Sequence, residues 1–410
     1  MDELKGAAYL RSKLNSKKSW VERKYRCYEM KGLTLDPSPV IPEELSRKYG
    51  TILGWCAKAV DSLANRLMFD GFNNDNFDLW EIFQMNNKDI FFDSAIISSL
   101  ISACCFIYIS ADEEGYPRLQ VIDGKNATGI IDPITNLLKE GYAVLETDDK
   151  GKIVTEAYFT PDYTEYTYVD KNTSEIMENP TGYPLLVPVI YRPDAERPFG
   201  HSRITKDCMD IQDKARYTIT RMEVLGEFNS FPQKYILGTA EDSDLDTVKA
   251  TFASLLEITK DEDGDKPTAG QFPQASMQPL TDQLFAYAKI FAGLTGLSVD
   301  DLGFVSVNPS SAEAIRAGHA DLERIASKAQ AYFGSGFLNV GLVAACLRDM
   351  YHYRRSAIYK TEPVWKPAFA MDYSSLSSFG DGIIKINEAV PNAIDANVVH
   401  RITGLPTEGN

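Results

Sequence analysis

"GFVSVNPSSAEAIRAGHADLERIASKAQAYFG", residues 303–334, passes from an uncharged loop straight into a patterned helix. Pro309 has no amide proton, so the helix starts after it. Ser310 can cap the free amides that follow, and Glu313, three residues on, completes a capping box. Ile315, Leu322, Ile325, Ala329 and Phe333 then make an apolar stripe, opposite a wet face of Glu313, Arg316, Glu323, Arg324 and Lys328. Gly334 and Gly336 suit a bend, beyond which the helix runs on towards His352. The loop before it, Phe304 to Ser310, offers no ligand set, no phosphate cradle and no nucleophile with a partner.

Two more helices precede the loop. Ile204, Cys208, Ile211, Ala215, Ile219, Met222 and Leu225 step by three and four, with Lys206, Asp210, Lys214, Arg216 and Arg221 on the other faces. Leu280, Leu284, Tyr287, Ala288, Phe291 and Leu294 repeat the pattern. Between them lie a short strand in "KYILG", a helix in "DLDTVKATFASLLEI" and an acidic, irregular run. In that run "DEDGD" at 261–265 resembles the start of a calcium loop. An EF-hand needs Gly at its sixth position and Glu at its twelfth; here they are Lys266 and Phe272, so it is excluded.

The N-terminal half is mixed. Residues 5–31 form a basic helical arm, with Arg11, Lys13, Lys17, Lys18, Arg23, Lys24, Arg26 and Lys31, read either as a solvated face or as a site for an anionic partner. Helices are predicted over 55–69 and 78–103. "SAIISSLISACCFIYIS", 94–110, is too short for a membrane span, carries five serines, and reads as a buried helix running into a buried strand. Residues 142–170 alternate with a period of two around turns at "DDKG" and "TPDY", an antiparallel meander. "GYPLLVPVIYRP" closes it as an edge or bulged strand, because Pro184, Pro188 and Pro193 cannot donate to a ladder.

Composition narrows the function classes. A net charge of −16 and a pI near 4.8 argue against a basic grip on phosphates, which reads as a pI above ~9. They suit a surface past which DNA slides without sticking. Six cysteines in 410 residues make no disulfide framework, and no zinc spacing occurs. His201, His319, His352 and His400 are scattered, without metal-ligand spacing. No G-x-S-x-G elbow, Walker A loop or dinucleotide fingerprint is present. "GLTG" at 293–296 has a helical context that does not suit a KH clamp, and the Asn126 and Asn172 triplets have no secretory context. No cofactor or metal is expected, and no enzyme. The N-terminus lacks a signal-peptide core, so no membrane partner is expected either.

The order of these segments resembles a known family. "VDSLANRLMFDGF" (60–72), "LWEIFQMNNKD" (79–89) and "PTGYPLLVPVIYRPD" (180–194) are similar to the N-terminal half of tailed-bacteriophage portal proteins of the siphovirus-like branch. "DIQDKARYTITRMEVLGEFNSFPQKYILG" (210–238) and "LTGLSVDDLGFVSVNPSSAEAIRAGHADL" (294–322) resemble that family's stem helices, tunnel loop and long helix. The resemblance implies an α+β fold. It has a wing at 1–199, stem helices at 200–228 and 280–302, and a clip at 229–279. A tunnel loop follows at 303–311, then a long kinked wing helix at 312–352 and a C-terminal wing or short crown at 353–410. It implies a homo-oligomeric ring, usually of twelve, at one capsid vertex of the virion, assembled in the host cytoplasm. Double-stranded DNA passes through it during packaging and ejection. Terminase, a head–tail adaptor and the major capsid protein are the implied partners. Phe304, Val305, Ser306, Val307, Asn308, Pro309 and Ser310 are then the DNA-facing loop, and Lys214 and Arg221 are channel or inter-subunit candidates. The rival readings are an acidic carboxylate-dependent hydrolase and another ring protein of the virion.

Overall fold

The computed structural model describes residues 4–33, 49, 51–230, 234–237, 268–271, 273–304, 312–369, 373–391 and 393–403. It is of mixed α+β class and divides into two compact units. The first comprises 1–32, 54–209 and 292–410; the second 33–53 and 210–291.

The first unit is organised around one long helix. In chain order it contains α1 (Ala7–Glu29), α2 (Trp55–Ala64), β1 (Phe69–Asn73), α3 (Leu79–Met85) and α4 (Lys88–Ser102). Then come β2 (Cys104–Ala111), β3 (Pro117–Ile122), β4 (Ala127–Ile131), β5 (Leu138–Thr147), β6 (Ile153–Phe159), β7 (Tyr163–Tyr168), β8 (Thr173–Glu178) and β9 (Leu186–Ile190). The helix α5 (Lys206–Ser230) begins in this unit, β10 (Lys234–Leu237) and β11 (Thr268–Gln271) belong to the other, and α6 (Gln278–Thr295) ends in this one. The central helix α7 (Ala312–Arg348), β12 (Glu362–Trp365), α8 (Tyr373–Ala389) and α9 (Ala396–Thr403) complete it.

The helix α7 buries Leu322, Ala326, Ala329, Phe333 and Phe337, spaced by three and four. The ring of Phe337 lies 4.8 Å from that of Phe92, 5.4 Å from Phe69 and 6.2 Å from Trp365, centroid to centroid. Gly334 and Gly336, read as a bend, sit inside an unbroken helix. Their bare Cα atoms admit neighbours: a Cβ on Gly334 would come within 2.9 Å of Pro363 on β12, and one on Gly336 within 3.4 Å of Val189 on β9. Residues 318–348 are long and apolar enough to cross a membrane, yet 78% of the apolar window is buried in the fold, as a core helix requires.

Several boundaries move. The helix expected over 55–69 stops at Ala64, because Arg66 and Leu67 donate three residues back, to Leu63 and Ala64. Phe69 then opens β1, which pairs antiparallel with β12 across a sequence gap that no local pattern reports. The helix expected over 78–103 is two, parted at Asn86–Asn87. Asn87 is left-handed, with φ 53°. The Asn86 amide donates to Ile82 O at 2.8 Å and Pro117 O at 2.9 Å and accepts from Leu119 N–H at 2.9 Å, stitching the break to β3. The buried helix-to-strand run is as expected, α4 into β2.

The meander is a five-stranded sheet in the order β4-β5-β6-β7-β8. Asp148 builds its first turn, accepting from Lys150 N–H at 2.9 Å and Lys152 N–H at 2.8 Å. The Pro-bearing strand does not close it. β9 is an edge strand of a separate sheet, β3-β2-β9, where Pro188 stands opposite Phe106.

The basic arm is divided: Lys24 is buried and Lys13 and Lys17 are half-buried, whereas Arg11, Lys18, Arg23, Arg26 and Lys31 are exposed. α1 packs Leu10 and Leu14 against Tyr142, Val144 and Tyr158. Its first amides, Lys5 and Gly6, donate to the buried carboxylate of Glu140 at 2.9 and 3.0 Å, an anion placed at a helix N-terminus. Arg11 and the Tyr142 hydroxyl both reach the buried carboxylate of Glu156. Asn126 O accepts from Val144 N–H at 2.8 Å, so by the alternation of an antiparallel ladder the carbonyls of Ala127 and Gly129 face away from β5. Lys17 and Lys13, one turn apart, donate to those two carbonyls at 2.9 and 2.8 Å. At the opposite edge β8 is exposed along all six residues. Lys18, Arg23 and Arg26 remain on the outer face of α1.

Lys24 is buried, and desolvation lowers its pKa from 10.5 to about 8. Between those values the unfolded chain holds a proton that the folded chain has shed, so the penalty from Lys24 should fade as pH rises from about 8. Lys24→Met should therefore stabilise the fold at pH 7 by up to about 3 kcal/mol, since each tenfold loss of proton affinity on folding costs ~1.4 kcal/mol. That advantage over wild type should shrink from about pH 8 to 9.5, read from the difference between their urea midpoints. The difference is the measure because other groups act in the opposite sense in both proteins: the raised Cys105 thiol, at about 12, from about pH 9, and raised tyrosines such as Tyr28 above about 10.

The second unit is held by one arginine. Arg216 is buried; its Nε donates to Thr51 O at 2.9 Å, Nη2 to Leu33 O at 2.9 Å, and Nη1 to Asp213 at 3.0 Å. Gln212, Arg216 and Thr220, four apart, are all buried, whereas Ile211, Ile219, Met222 and Leu225 of the expected stripe are only half-buried. The buried face of α5 thus mixes Cys208, Met209 and Ala215, the first and last of them from the expected stripe, with Gln212, Arg216, Thr218 and Thr220, and its polar part is covered by main chain from 33, 49 and 51. β10 and β11 form an antiparallel pair, and Asn229 closes the base below it, bonding Ala275 N–H at 3.2 Å and Ala275 O at 2.9 Å. The helix predicted over 244–258 and the acidic run at 261–265 lie outside the described residues.

Candidate functional site

The sequence placed its candidate site between α6 and α7, and the described residues give both ends of that connection. Gly296 ends α6 in a left-handed turn, φ 67°, because a Cβ there would meet Ile325 at 2.8 Å. Ser298 and Asp301 lock the next turn reciprocally. The Ser298 hydroxyl and amide donate to Asp301 Oδ2 at 2.7 and 3.0 Å, and Asp301 N–H donates back to the hydroxyl at 3.2 Å. A 3-10 turn, Asp300–Leu302, buries Leu302, and Gly303 follows at φ 89°. The Gly303 and Phe304 amides return to Asp300 O and Val299 O at 3.0 and 3.4 Å.

Phe304 is half-buried and meets Trp55 of α2 edge-on, ring centroids 6.5 Å apart. Of the seven loop candidates it alone lies among the described residues. Val305, Ser306, Val307, Asn308, Pro309 and Ser310 lie outside them, as does the expected Ser310–Glu313 capping box. On the return side His319 lies 6.0 Å from the ring of Phe369, over which the Arg66 guanidinium stands at 4.4 Å. Asp301 is held below the usual carboxylate range: burial works against this, and the Ser298 donors, His319 and Lys58 outweigh it. Sequence reasoning missed both Asp301 and His319, because each looks like an isolated polar residue until the turn brings them together.

In the second unit Lys214 and Arg221 are both exposed on α5, and none of the described ion pairs includes either. Among the described residues no three His, Cys, Asp or Glu side chains gather as a metal site. The six cysteines are buried free thiols; burial raises Cys105 to about 12. Among the described residues two carboxylates are buried, Glu140 and Glu156, and both are already bound, by tyrosines and by Lys5, Gly6 and Arg11 at the start of α1, as structural anions are. His201 pairs with Asp194 at 2.5 Å on the surface, and His352 Nδ1 lies 2.6 Å from Thr181 O.

Comparison with known proteins covers this region. The family model described as "Phage portal protein, SPP1 Gp6-like" matches residues 51–376. The Portal protein of Mycobacterium phage L5 is 27% identical over 318 residues, 72% of this chain and 65% of that protein. The Portal protein of Mycobacterium phage D29 is 27% identical over 306 residues, 70% of this chain and 63% of that protein. Each match therefore spans less than two thirds of the relative's length. Among solved structures, a chain of the virion of a native gene transfer agent particle is 13% identical with a TM-score of 0.42, covering 94% of this chain and 99% of its own. A chain from the neck of that particle, computed with C12 symmetry, is 13% identical with a TM-score of 0.48, covering 92% and 98%.

Proposed function

The chain belongs to the SPP1 Gp6-like family of phage portal proteins, and on that premise we propose that it works as a non-enzymatic DNA conduit. In this reading copies of the chain close into a ring, twelve being usual for the family, at one vertex of the capsid. Double-stranded DNA enters and leaves through its axis. Residues 1–199 and 312–352 form the wing, α5 and α6 the stem, 229–279 the clip, and 353–410 the C-terminal wing or short crown. Terminase and a head–tail adaptor dock on the outer end, and the major capsid protein surrounds the ring. The particle assembles in the host cytoplasm and the protein stays in the virion.

The observation that carries this reading is the family match, which runs from α2 to α8 and so takes in both ends of the 303–311 connection. Charge supports it: a net −16 per copy, repeated around a ring, leaves DNA few strong contacts that could arrest it. The stretch 303–310 carries no charge, so it can approach DNA without gripping it. Electron microscopy of the purified protein tests the assembly. Rings are expected, and monomers at every salt and concentration would defeat the reading.

Loop lysines test the conduit. Val305→Lys with Asn308→Lys adds two cations per copy, each able to hold a phosphate, and salt-dependent binding should slow packaging or ejection severalfold while rings still form. Packaged DNA per unit time is the measurement. If these variants fail to form rings instead, the loop is a structural element and its role at the channel is refuted.

A further inference from the structure

The two flanks of the 305–311 segment carry an incomplete contact. His319 Nδ1 is buried and has no hydrogen-bond partner. It lies 3.6 Å from Oδ2 of Asp301, the oxygen that already accepts the Ser298 amide and hydroxyl. Those two bonds fix the carboxylate where it stands, on the turn before the segment; His319 stands on the helix after it. A charge-assisted N–H···O bond sits at ~2.7–2.9 Å, so less than about 1 Å of movement separates this gap from a closed bond. A buried, unpaired ring nitrogen facing a held carboxylate is a costly arrangement unless the contact is made in some state of the molecule.

We propose that His319, on taking up one proton from solvent, closes onto Asp301 and ties the two flanks of residues 305–311 to each other. The pair is a positioning element: it sets where the connection leaves the turn at Phe304 and where α7 receives it. With the clasp closed, the roots of the loop are fixed to each other; with it open, the Phe304–Trp55 contact and the packing of Gly296 on α7 hold them without it. The consequence for DNA passage rests on the reading of 303–311 as the channel loop. The clasp itself rests only on the described flanks.

The surrounding charges are few. Lys58 on α2 acts on Asp301. Arg66 stands over Phe369, whose ring lies beside the imidazole. Asp300 is exposed on the turn, and Asp321 on α7 is paired with Arg324 at 2.5 Å. Asp301 is therefore the anion positioned to take the imidazolium.

Hydrogen exchange on the full chain tests this, with peptides covering 296–304 and 318–326 read at pH 8 and pH 5.5 and corrected for intrinsic rates. In wild type, protection of both flanks should rise about tenfold at the lower pH, the effect of one charge-assisted bond. His319→Gln and the isosteric Asp301→Asn should each stay at the wild-type pH 8 level at both pH values. Equal wild-type protection at the two pH values, or a His319→Gln protein that keeps the response, overturns the proposal. Ring counts by electron microscopy on the same samples separate the two ideas. A clasp response without rings supports the clasp and sinks the conduit, and rings without a response sink the clasp alone.

Discussion

Phe337→Ala should lower the stability of the first unit by about 3–5 kcal/mol, the range for truncating a fully buried phenylalanine. The size follows from position. Phe337 is fully buried in the middle of α7 and touches rings from three separate parts of the chain: Phe69 on β1, Phe91 and Phe92 on α4, and Trp365 on β12. A cavity there cannot collapse easily, because each ring is also held by others: Phe69 packs at 4.6 Å on Phe92 and at 4.9 Å on Trp365. Phe337→Leu fills most of the space and should cost less than half as much. Urea unfolding followed by tryptophan fluorescence measures both, since Trp80 and Trp365 belong to the same cluster. Equal midpoints for wild type and Phe337→Ala would show that the cluster is not the core described here.

Arg216→Ala should destabilise the second unit by about 3 kcal/mol. It strips donors from two main-chain carbonyls and a partner from Asp213, at ~1.5–3 kcal/mol for each bond to a charged group, partly recovered by water. Arg216→Lys should rescue little, because one ammonium cannot span carbonyls at Thr51 and Leu33 and a carboxylate at once. The readout is amide exchange over 49–53, which should accelerate in both variants. Unchanged exchange in Arg216→Ala would mean that something other than the guanidinium holds this segment.

What could be read from the sequence was what is local. The meander was visible because its period is two and because Asp148 carries its own turn chemistry. The stripe of α7 was visible from Leu322 to Phe333 because its neighbours are apolar all along that face. On α5 the stripe was right at Cys208 and Ala215, but the buried polar part of the face was not visible, because Arg216 is satisfied by carbonyls more than 160 positions earlier in the chain. The lysines of α1 misled for a related reason: a basic run normally marks a wet surface, yet Lys13 and Lys17 end on the carbonyls of β4. β9 was assigned to the wrong sheet, since the meander ends only at Glu178, close before it in sequence, whereas its partner β2 lies about 75 residues back. At the candidate site the loop itself was legible as uncharged and helix-tethered, whereas Asp301 and His319 became neighbours only through the Ser298 turn.

The lysine-capped edge of β4 and the bare edge of β8 give the five-stranded sheet a polarity. Runaway growth of a sheet into a fibril needs two open edges on every copy, one to receive and one to be received. This sheet has one. A strand added at β8 ends the ladder, because the β4 edge of the next copy has its Ala127 and Gly129 carbonyls already bound to ammonium groups. In the proposed ring, where many copies gather in one place, this polarity protects them against gathering in the wrong way.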